Sequence, residues 1–216
     1  MDYRINSEVK IPLRNVELKG EFIVPLKARA IIIFAHGSGS SRMSPRNKMV
    51  AKELHQHNFG TLLLDLLTEK EDLQSSNRFD ISLLTKRLIG TTTWVEEQPT
   101  TKGCSIGYFG SSTGAAAALK AAAYLPQIEA VISRGGRPDL VMECLSNVES
   151  PTLLIVGSLD YDVLHKNQEA YKHLHCEKKI EVIDGATHLF EEHGMMKKVA
   201  ALSAEWYEKN LHAILI

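Results

Sequence analysis

A serine flanked by two glycines stands where a short apolar stretch gives way to a run of small residues. The segment 107–119 reads GYFGSSTGAAAAL and contains the pattern G-x-S-x-G, with Ser112 at its centre. Between a strand and a helix, this pattern lifts the serine hydroxyl above the sheet, and glycines avoid side-chain collisions in so tight a turn. We therefore predict that Ser112 is a nucleophile.

Two backbone N–H groups are candidates to stabilise the oxyanion that attack by Ser112 would create. The Thr113 N–H lies at the N-terminus of the predicted helix, where the helix dipole favours negative charge. The loop after the apolar stretch 30–35 reads HGSGSS, and we predict the Ser38 N–H as the second donor. The alternative is a phosphate-binding glycine loop, but the segment has no Walker lysine and no G-x-G-x-x-G pattern. His36, in the same loop, is predicted to be structural.

A histidine follows the last apolar stretch, residues 179–183, in the sequence DGATHLF. A histidine in a loop just past a strand is well placed to reach Ser112. We predict that His188 accepts the proton of the Ser112 hydroxyl and later returns it to the leaving group. The other eight histidines are assigned to surfaces, helix faces or structural positions.

Two carboxylates follow the stretch 152–156 and could orient His188. Asp160 is the preferred acid, and Asp162 is the alternative. Asp160 could also merely cap the helix that begins near Val163. With Asp160, the chain order is Ser, Asp, His, which is the order of hydrolases that carry G-x-S-x-G on such a turn.

Two arginines, Arg134 and Arg137, follow the stretch 130–133 and are candidate substrate-binding residues. One hypothesis is an anionic substrate, because a guanidinium holds a carboxylate or phosphate through paired hydrogen bonds. The other is structural, with Arg134 paired to an acid such as Glu191 to brace the loops.

The elements that must position these residues follow from the apolar pattern. Continuous apolar runs indicate strands covered on both faces, as in a parallel sheet between helices. The runs are 30–35, 61–66, 105–110, 130–133 and 152–156, with 179–183 partly alternating. Residues 15–24 alternate around Gly20 and predict an antiparallel hairpin at one edge of the sheet.

Helices are predicted between and after these strands, at 45–57, 115–124 and 195–211. The sum is a hairpin followed by six βα-type units, which predicts an open α/β sheet that binds ligands beyond the carboxyl ends of its strands. Only about 18 residues separate two of the strands, so no large cap is expected there. The polar stretch 68–78 is predicted to be a solvated surface loop, with a mobile flap as the alternative.

These motifs together resemble the dienelactone-hydrolase-like branch of the α/β-hydrolases. The likeness is carried by HGSGSSRMSPRN, GYFGSSTGAAAAL, SRGGRPDL, LLIVGSLDYDVL and GATHLFEE, and it covers nearly the whole chain. The resemblance implies a mostly parallel sheet of about eight strands with triad residues after the fifth, seventh and eighth. Dienelactone hydrolases proper carry cysteine where this chain has Ser112. Members similar to this chain are sometimes fused to a phosphoribosyltransferase domain.

Composition excludes further classes of protein. The 216 residues predict a single domain, 1–216, and a formal charge of -1 gives no basic surplus for nucleic acid. The polar N-terminus and short apolar runs predict a cytoplasmic protein without membrane contact. Three scattered cysteines predict reduced thiols and no metal site. We expect a small-molecule acyl substrate and neither metal nor organic cofactor, with the oligomeric state left open.

The primary hypothesis is a hydrolase that cleaves an ester or similar acyl bond through an acyl-Ser112 intermediate. A second enzyme hypothesis is acyl transfer, in which an alcohol or amine replaces water as acceptor. The rival class is a non-catalytic binding protein on a hydrolase scaffold, since a fold alone does not name an activity.

Overall fold

A computed structural model describes residues 2–211 and contains one eight-stranded sheet in the order β1-β2-β4-β3-β5-β6-β7-β8. The strands are β1 Tyr3–Leu13, β2 Val16–Pro25, β3 Ala30–Ala35, β4 Phe59–Leu64, β5 Ser105–Ser111, β6 Ile128–Arg134, β7 Thr152–Gly157 and β8 Lys178–Ile183. β1 pairs antiparallel with β2, and β2 pairs antiparallel with β4; all other pairs are parallel. The predicted α/β fold with an antiparallel hairpin at one edge is confirmed.

Helices cover both faces of this sheet. They are α1 Pro45–Gln56, α2 Glu69–Asp72, α3 Ile81–Glu97, α4 Thr113–Tyr124, α5 Tyr161–His173 and α6 Met195–Asn210. Apolar side chains of α1 and α6 pack in one core cluster, whereas those of α3, α4 and α5 pack in the other. Strands β3, β4, β5 and β7 are buried along their whole length. This explains why the sequence shows continuous apolar runs rather than alternation.

The N-terminal hairpin forms, but its strands span Tyr3–Leu13 and Val16–Pro25 rather than residues 15–24. The turn lies at Arg14 and Asn15, and Gly20 sits inside β2. A Cβ at Gly20 would lie 3.0 Å from Leu62 Cδ1 and 3.2 Å from Val9 Cγ2. The glycine therefore serves close side-chain packing in a strand, a use that the sequence does not distinguish from a turn.

The polar stretch 68–78 is more regular than the predicted surface loop. It contains α2, which begins with a capping box between Thr68 and Glu71, and a 3₁₀ segment at Ser75–Phe79. Arg78 forms hydrogen bonds to both carboxylate oxygens of Asp72 at 2.9 Å. The cap and this pair order a segment that has no buried residues of its own.

The helix α3 was not placed from the sequence. Its inward face includes the buried threonines Thr85, Thr91 and Thr92 among its apolar residues. Thr92 forms a 2.5 Å hydrogen bond with the buried Tyr108 hydroxyl. Buried polar residues interrupt the apolar stripe by which an amphipathic helix is recognised.

The connection between β6 and β7 contains a 3₁₀ segment at Pro138–Asn147 and no large helical cap within the described part of the chain. The carboxyl ends of the parallel strands are therefore not covered by such a cap. Among residues 2–211, no helix is both long and apolar enough to cross a bilayer.

Candidate active site

Ser112 occupies the tight junction between β5 and α4. Its backbone has φ 49° and ψ −121°, a conformation that costs a residue with a side chain about 1–3 kcal/mol. A Cβ at Gly110 would lie 2.4 Å from Ala115 Cα, and one at Gly114 would lie 2.2 Å from the Ala35 carbonyl oxygen. Both glycines are thus required by close backbone approach, as the sequence pattern predicts.

The loop after β6 braces this junction. The Arg137 N–H donates to the Ser112 carbonyl at 3.1 Å, and the Ser112 N–H donates to the Arg134 carbonyl at 3.4 Å. The Ser112 side chain makes no capping hydrogen bond to α4, although the residue stands at the N-cap position. Its hydroxyl is therefore not committed to holding the helix.

His188 and Asp160 meet in front of the sheet. His188 Nδ1 lies 2.6 Å from Asp160 Oδ2, with 40% of the His188 side chain exposed and 14% of the Asp160 side chain exposed. Asp162 is exposed in the first turn of α5. Asp160 stands at the N-cap of α5 but makes no side-chain capping bond, so its carboxylate serves His188 rather than the helix.

Close backbone contacts bring the loops of Asp160 and His188 together. A Cβ at Gly157 would lie only 2.2 Å from the Ala186 carbonyl oxygen, and the Leu159 N–H donates to that same oxygen at 3.0 Å. The two loops follow the neighbouring strands β7 and β8. Their contact helps to hold the imidazole beside the carboxylate.

The loop after β3 lies directly against Ser112. A Cβ at Gly37 would be 2.9 Å from Ser112 Cβ, which places the predicted oxyanion loop beside the predicted nucleophile. The Ser38 N–H donates to the Thr113 Oγ1 hydroxyl at 3.0 Å. An oxyanion bound by the Ser38 N–H must therefore share or replace this hydroxyl acceptor.

His36 is fixed by the backbone on both sides of its ring. Its Nε2 accepts from the Leu66 N–H at 3.1 Å, so Nδ1 carries the proton and donates to the Gly37 carbonyl at 2.9 Å. Burial lowers the pKa of this imidazole below its ordinary value. A neutral, doubly bonded His36 braces the loop that carries Ser38.

A cavity of about 150 Å³ opens in front of these loops. Ser112 and His188 line it together with Ser38, Arg134 and Arg46. The structure thus brings the predicted nucleophile, the predicted base and one predicted oxyanion residue to the wall of a single cavity.

Arg134 is the buried charge of this cavity. Its relative exposure is 6%, and its guanidinium carbon lies 5.8 Å from the centre of the Phe190 ring. Within residues 2–211 no side-chain hydrogen bond or ion pair of the guanidinium is found, and Nε is buried without a partner. Burial lowers the pKa of Arg134 to about 10, and the nearby charge of Arg46 contributes. The group therefore stays protonated at neutral pH.

The other arginine candidate, Arg137, is committed elsewhere. Its guanidinium forms two 2.8 Å hydrogen bonds to the carboxylate of Asp139. Glu191, the suggested structural partner of Arg134, instead pairs with Arg46 at 2.5 Å. Of the two candidates, Arg134 alone lines the cavity with Ser112.

One site position was missed by the sequence reasoning. Gly135 has φ 51°, and a Cβ there would lie 3.5 Å from His188 Nδ1. The signal was present in the glycine pair that directly follows β6, because a glycine at a strand end often marks a left-handed backbone or a close approach.

The sheet is mostly parallel and has eight strands, with a strained serine after the fifth strand and a histidine paired to an aspartate after the last. This combination defines the α/β-hydrolase class. Residues 23–213 match the model of the dienelactone hydrolase family, and the chain belongs to that family. The resemblance noted in the sequence is confirmed, and this chain is of the α/β-hydrolase type.

The similar proteins agree on the fold. A crystal structure of dienelactone hydrolase from Anabaena variabilis ATCC 29413 is 46% identical, with a TM-score of 0.95 over 98% of this chain and 100% of that one. An esterase of Pyrococcus furiosus has a TM-score of 0.80 at 17% identity, over 96% of this chain and 92% of that one. At that identity the likeness shows the fold alone.

Two curated proteins of Mycobacterium tuberculosis are 49% identical over 207 residues, and each is provisionally named a phosphoribosyl transferase. The match covers 95% of this chain but only 47% of each relative. The chain therefore spans about half the length of the curated relatives it matches.

Proposed function

We propose that this hydrolase cleaves a carboxylic ester, or a closely related acyl bond, of a small molecule through an acyl-Ser112 intermediate. The observation that carries the proposal is the 2.6 Å contact between His188 and Asp160 at the mouth of the cavity that Ser112 also lines. A nucleophile, a base and an orienting acid on three separate loops are the parts that acyl transfer to serine requires.

In the proposed reaction, the Ser112 hydroxyl attacks the acyl carbon while His188 Nε2 takes its proton. Asp160 accepts the hydrogen bond from Nδ1–H, which fixes the tautomer and stabilises the imidazolium. Collapse of the tetrahedral intermediate expels the alcohol, which leaves with the proton from His188. Water, deprotonated by His188, then attacks the acyl-enzyme and releases the acid and the Ser112 hydroxyl.

The oxyanion is stabilised by the Thr113 N–H at the start of α4 and by the Ser38 N–H. The resting contact of Ser38 with Thr113 Oγ1 keeps this amide satisfied until charge develops. An anionic oxygen is a stronger acceptor than a neutral hydroxyl, so the exchange favours the transition state over the free enzyme.

The substrate carries a negative charge near the scissile bond. Arg134 supports this part of the proposal, because its guanidinium is 6% exposed, lines the cavity and lacks a carboxylate partner among the described residues. An unpaired buried charge is costly, and a bound carboxylate or phosphate would offset that cost with charge-assisted hydrogen bonds.

Matched esters test the function and its charge preference together. We expect turnover of p-nitrophenyl acetate and of its anionic counterpart, mono-p-nitrophenyl succinate, with a higher kcat/KM for the anionic ester. Ser112→Ala should abolish both, while its thermal melt shows that the protein is folded. Arg134→Met should lower the succinate-to-acetate ratio of kcat/KM by about 10- to 100-fold, the worth of one charged hydrogen-bonded contact.

The other arginine provides the control. Arg137→Met should keep the wild-type ratio, because that guanidinium is bound by Asp139. Turnover that survives in Ser112→Ala would overturn the nucleophile assignment. An unchanged ratio in Arg134→Met would overturn the anionic substrate only.

A further inference from the structure

A second cavity, of about 360 Å³, lies beside the Ser112 cavity. Its walls come from the start of α1, the loop after His188 and the start of α6. The apolar side chains that line it are Pro45, Met49, Phe190 and Met196. Met49 is 44% exposed, although it is a large apolar residue on a helix face.

The two cavities meet at Arg46. This side chain lines both of them, and its guanidinium pairs with Glu191 at the rim of the second. Leu189 lines the first cavity, and the next residue, Phe190, lines the second. The two cavities therefore adjoin, with Arg46 in the wall of both.

The small volume of the Ser112 cavity favours such an extension for a substrate of ordinary size. Small-molecule sites usually enclose about 300–1,000 Å³, whereas the Ser112 cavity encloses only about 150 Å³. That space suits an ester group and a nearby charged group. Any further part of the molecule must lie outside it.

We propose that the cavity lined by Met49 is a second substrate subsite, which binds an aliphatic or aryl part of the ester cleaved at Ser112. The inference rests on the proposed function. It adds that the substrate carries an apolar group besides its ester and its negative charge. The methionine side chains suit this role because an unbranched, flexible thioether adapts to apolar groups of different shape. Phe190 lies between the charged and the apolar parts of the proposed site, since it lines the second cavity and the Arg134 guanidinium lies near its ring.

Two series of esters test this subsite. One lengthens the acyl group from acetyl to hexanoyl with p-nitrophenol as the constant leaving group, and the other lengthens the alcohol of an acetate ester. Each buried methylene is worth roughly a fourfold gain. In the wild-type protein we expect at least about a tenfold higher kcat/KM for the long member of one series, which identifies the part of the ester that occupies the subsite.

Variants of one exposed residue place the effect in this cavity. Met49→Gln keeps the length and helix preference of the side chain but adds an amide, and it should lower the long-to-short ratio at least threefold. Met49→Leu should retain the ratio. The matched control is Met43→Gln, because Met43 is also an exposed methionine but lines neither cavity.

The outcomes separate this proposal from the one it rests on. Short esters turned over through Ser112, with a long-to-short ratio near one in both series, would overturn the subsite alone. So would an equal ratio in wild type and Met49→Gln. Absence of any Ser112-dependent turnover would overturn the proposed function and the subsite with it.

Discussion

Two neighbouring regions of the molecule differ in whether their most buried arginine has a carboxylate partner. Around α2, each guanidinium has a carboxylate partner; the pairs are Arg42 with Asp65, Arg78 with Asp72 and Arg87 with Glu71. In the Ser112 cavity, Arg134 is more deeply buried than any of these and has no such partner within residues 2–211. Paired charges hold a segment in place, whereas an unpaired buried charge is costly unless something else binds it.

The same contrast extends to the backbone. The segment around α2 is held by a capping box with ordinary helical geometry. The Ser112 cavity instead keeps a serine at positive φ and glycines where a Cβ would meet backbone atoms. Strain and unsatisfied groups persist at a site when the surrounding structure imposes them, and they are concentrated where function needs them.

The largest effect is expected from the two aspartates after β7. Asp160→Asn should lower kcat for an ester substrate by about 10²–10⁴-fold, because an amide stabilises neither the required tautomer nor the imidazolium. Asp162→Asn should stay close to wild type, since that side chain is exposed and His188 contacts Asp160. Steady-state kinetics of both variants decide the choice, and the reverse order of effects would make Asp162 the acid.

Opposite signs of stability change are expected for arginines in the two regions. Arg134→Met should raise the free energy of unfolding by about 1 kcal/mol, because an apolar side chain replaces an unpaired buried charge. Arg78→Met should lower it by about 0.5–1 kcal/mol through loss of a bidentate surface pair. Urea unfolding of both variants measures the difference, and a loss of stability in Arg134→Met would show that its charge is already satisfied in the free protein.

A smaller effect comes from His55, a buried histidine outside the cavity. Its Nε2 lies 2.8 Å from the Thr61 hydroxyl, and burial lowers its pKa to about 4. Because the unfolded chain then binds more protons between about pH 4 and pH 6.5, stability is fully present above that window and falls as the pH drops through it. We expect a loss of about 1–2 kcal/mol from pH 7 to pH 5.

The matched variant for this effect is His55→Asn, which should flatten the pH dependence of the free energy of unfolding. An equally steep dependence in that variant would assign the acid sensitivity to other groups. His55 contributes to stability only while it is neutral.

Much of the fold could be predicted because its strands and its tight turn depend on short stretches of sequence. Buried parallel strands read as apolar runs, and the glycines around Ser112 were predicted from the tightness of one turn. The extent of the hairpin was not predicted, because Gly20 lies inside β2 and packs against Leu62, a contact between distant segments. The helix α3 was missed because buried threonines interrupt its apolar face, and the Tyr108 hydroxyl that bonds to Thr92 reaches it only in the folded core.

Some residues of the candidate site could likewise be predicted from the sequence, and others could not. Ser112, Asp160 and His188 could be placed by their positions after particular strands, and the structure brings the latter two together. Which arginine is free could not be predicted, because Arg134 and Arg137 sit three residues apart in one motif. Their difference depends on Asp139 and on the burial that folding imposes.

Reaction with a fluorophosphonate followed by peptide mass mapping measures whether Ser112 is a nucleophile. We expect one adduct per chain, on Ser112 and not on the adjacent Ser111, formed by the native protein but not by protein that is unfolded before the reagent is added. Labelling should also be greatly slowed in His188→Ala. A native, folded protein that stays unlabelled, or that carries the adduct on another serine, would contradict a nucleophilic Ser112.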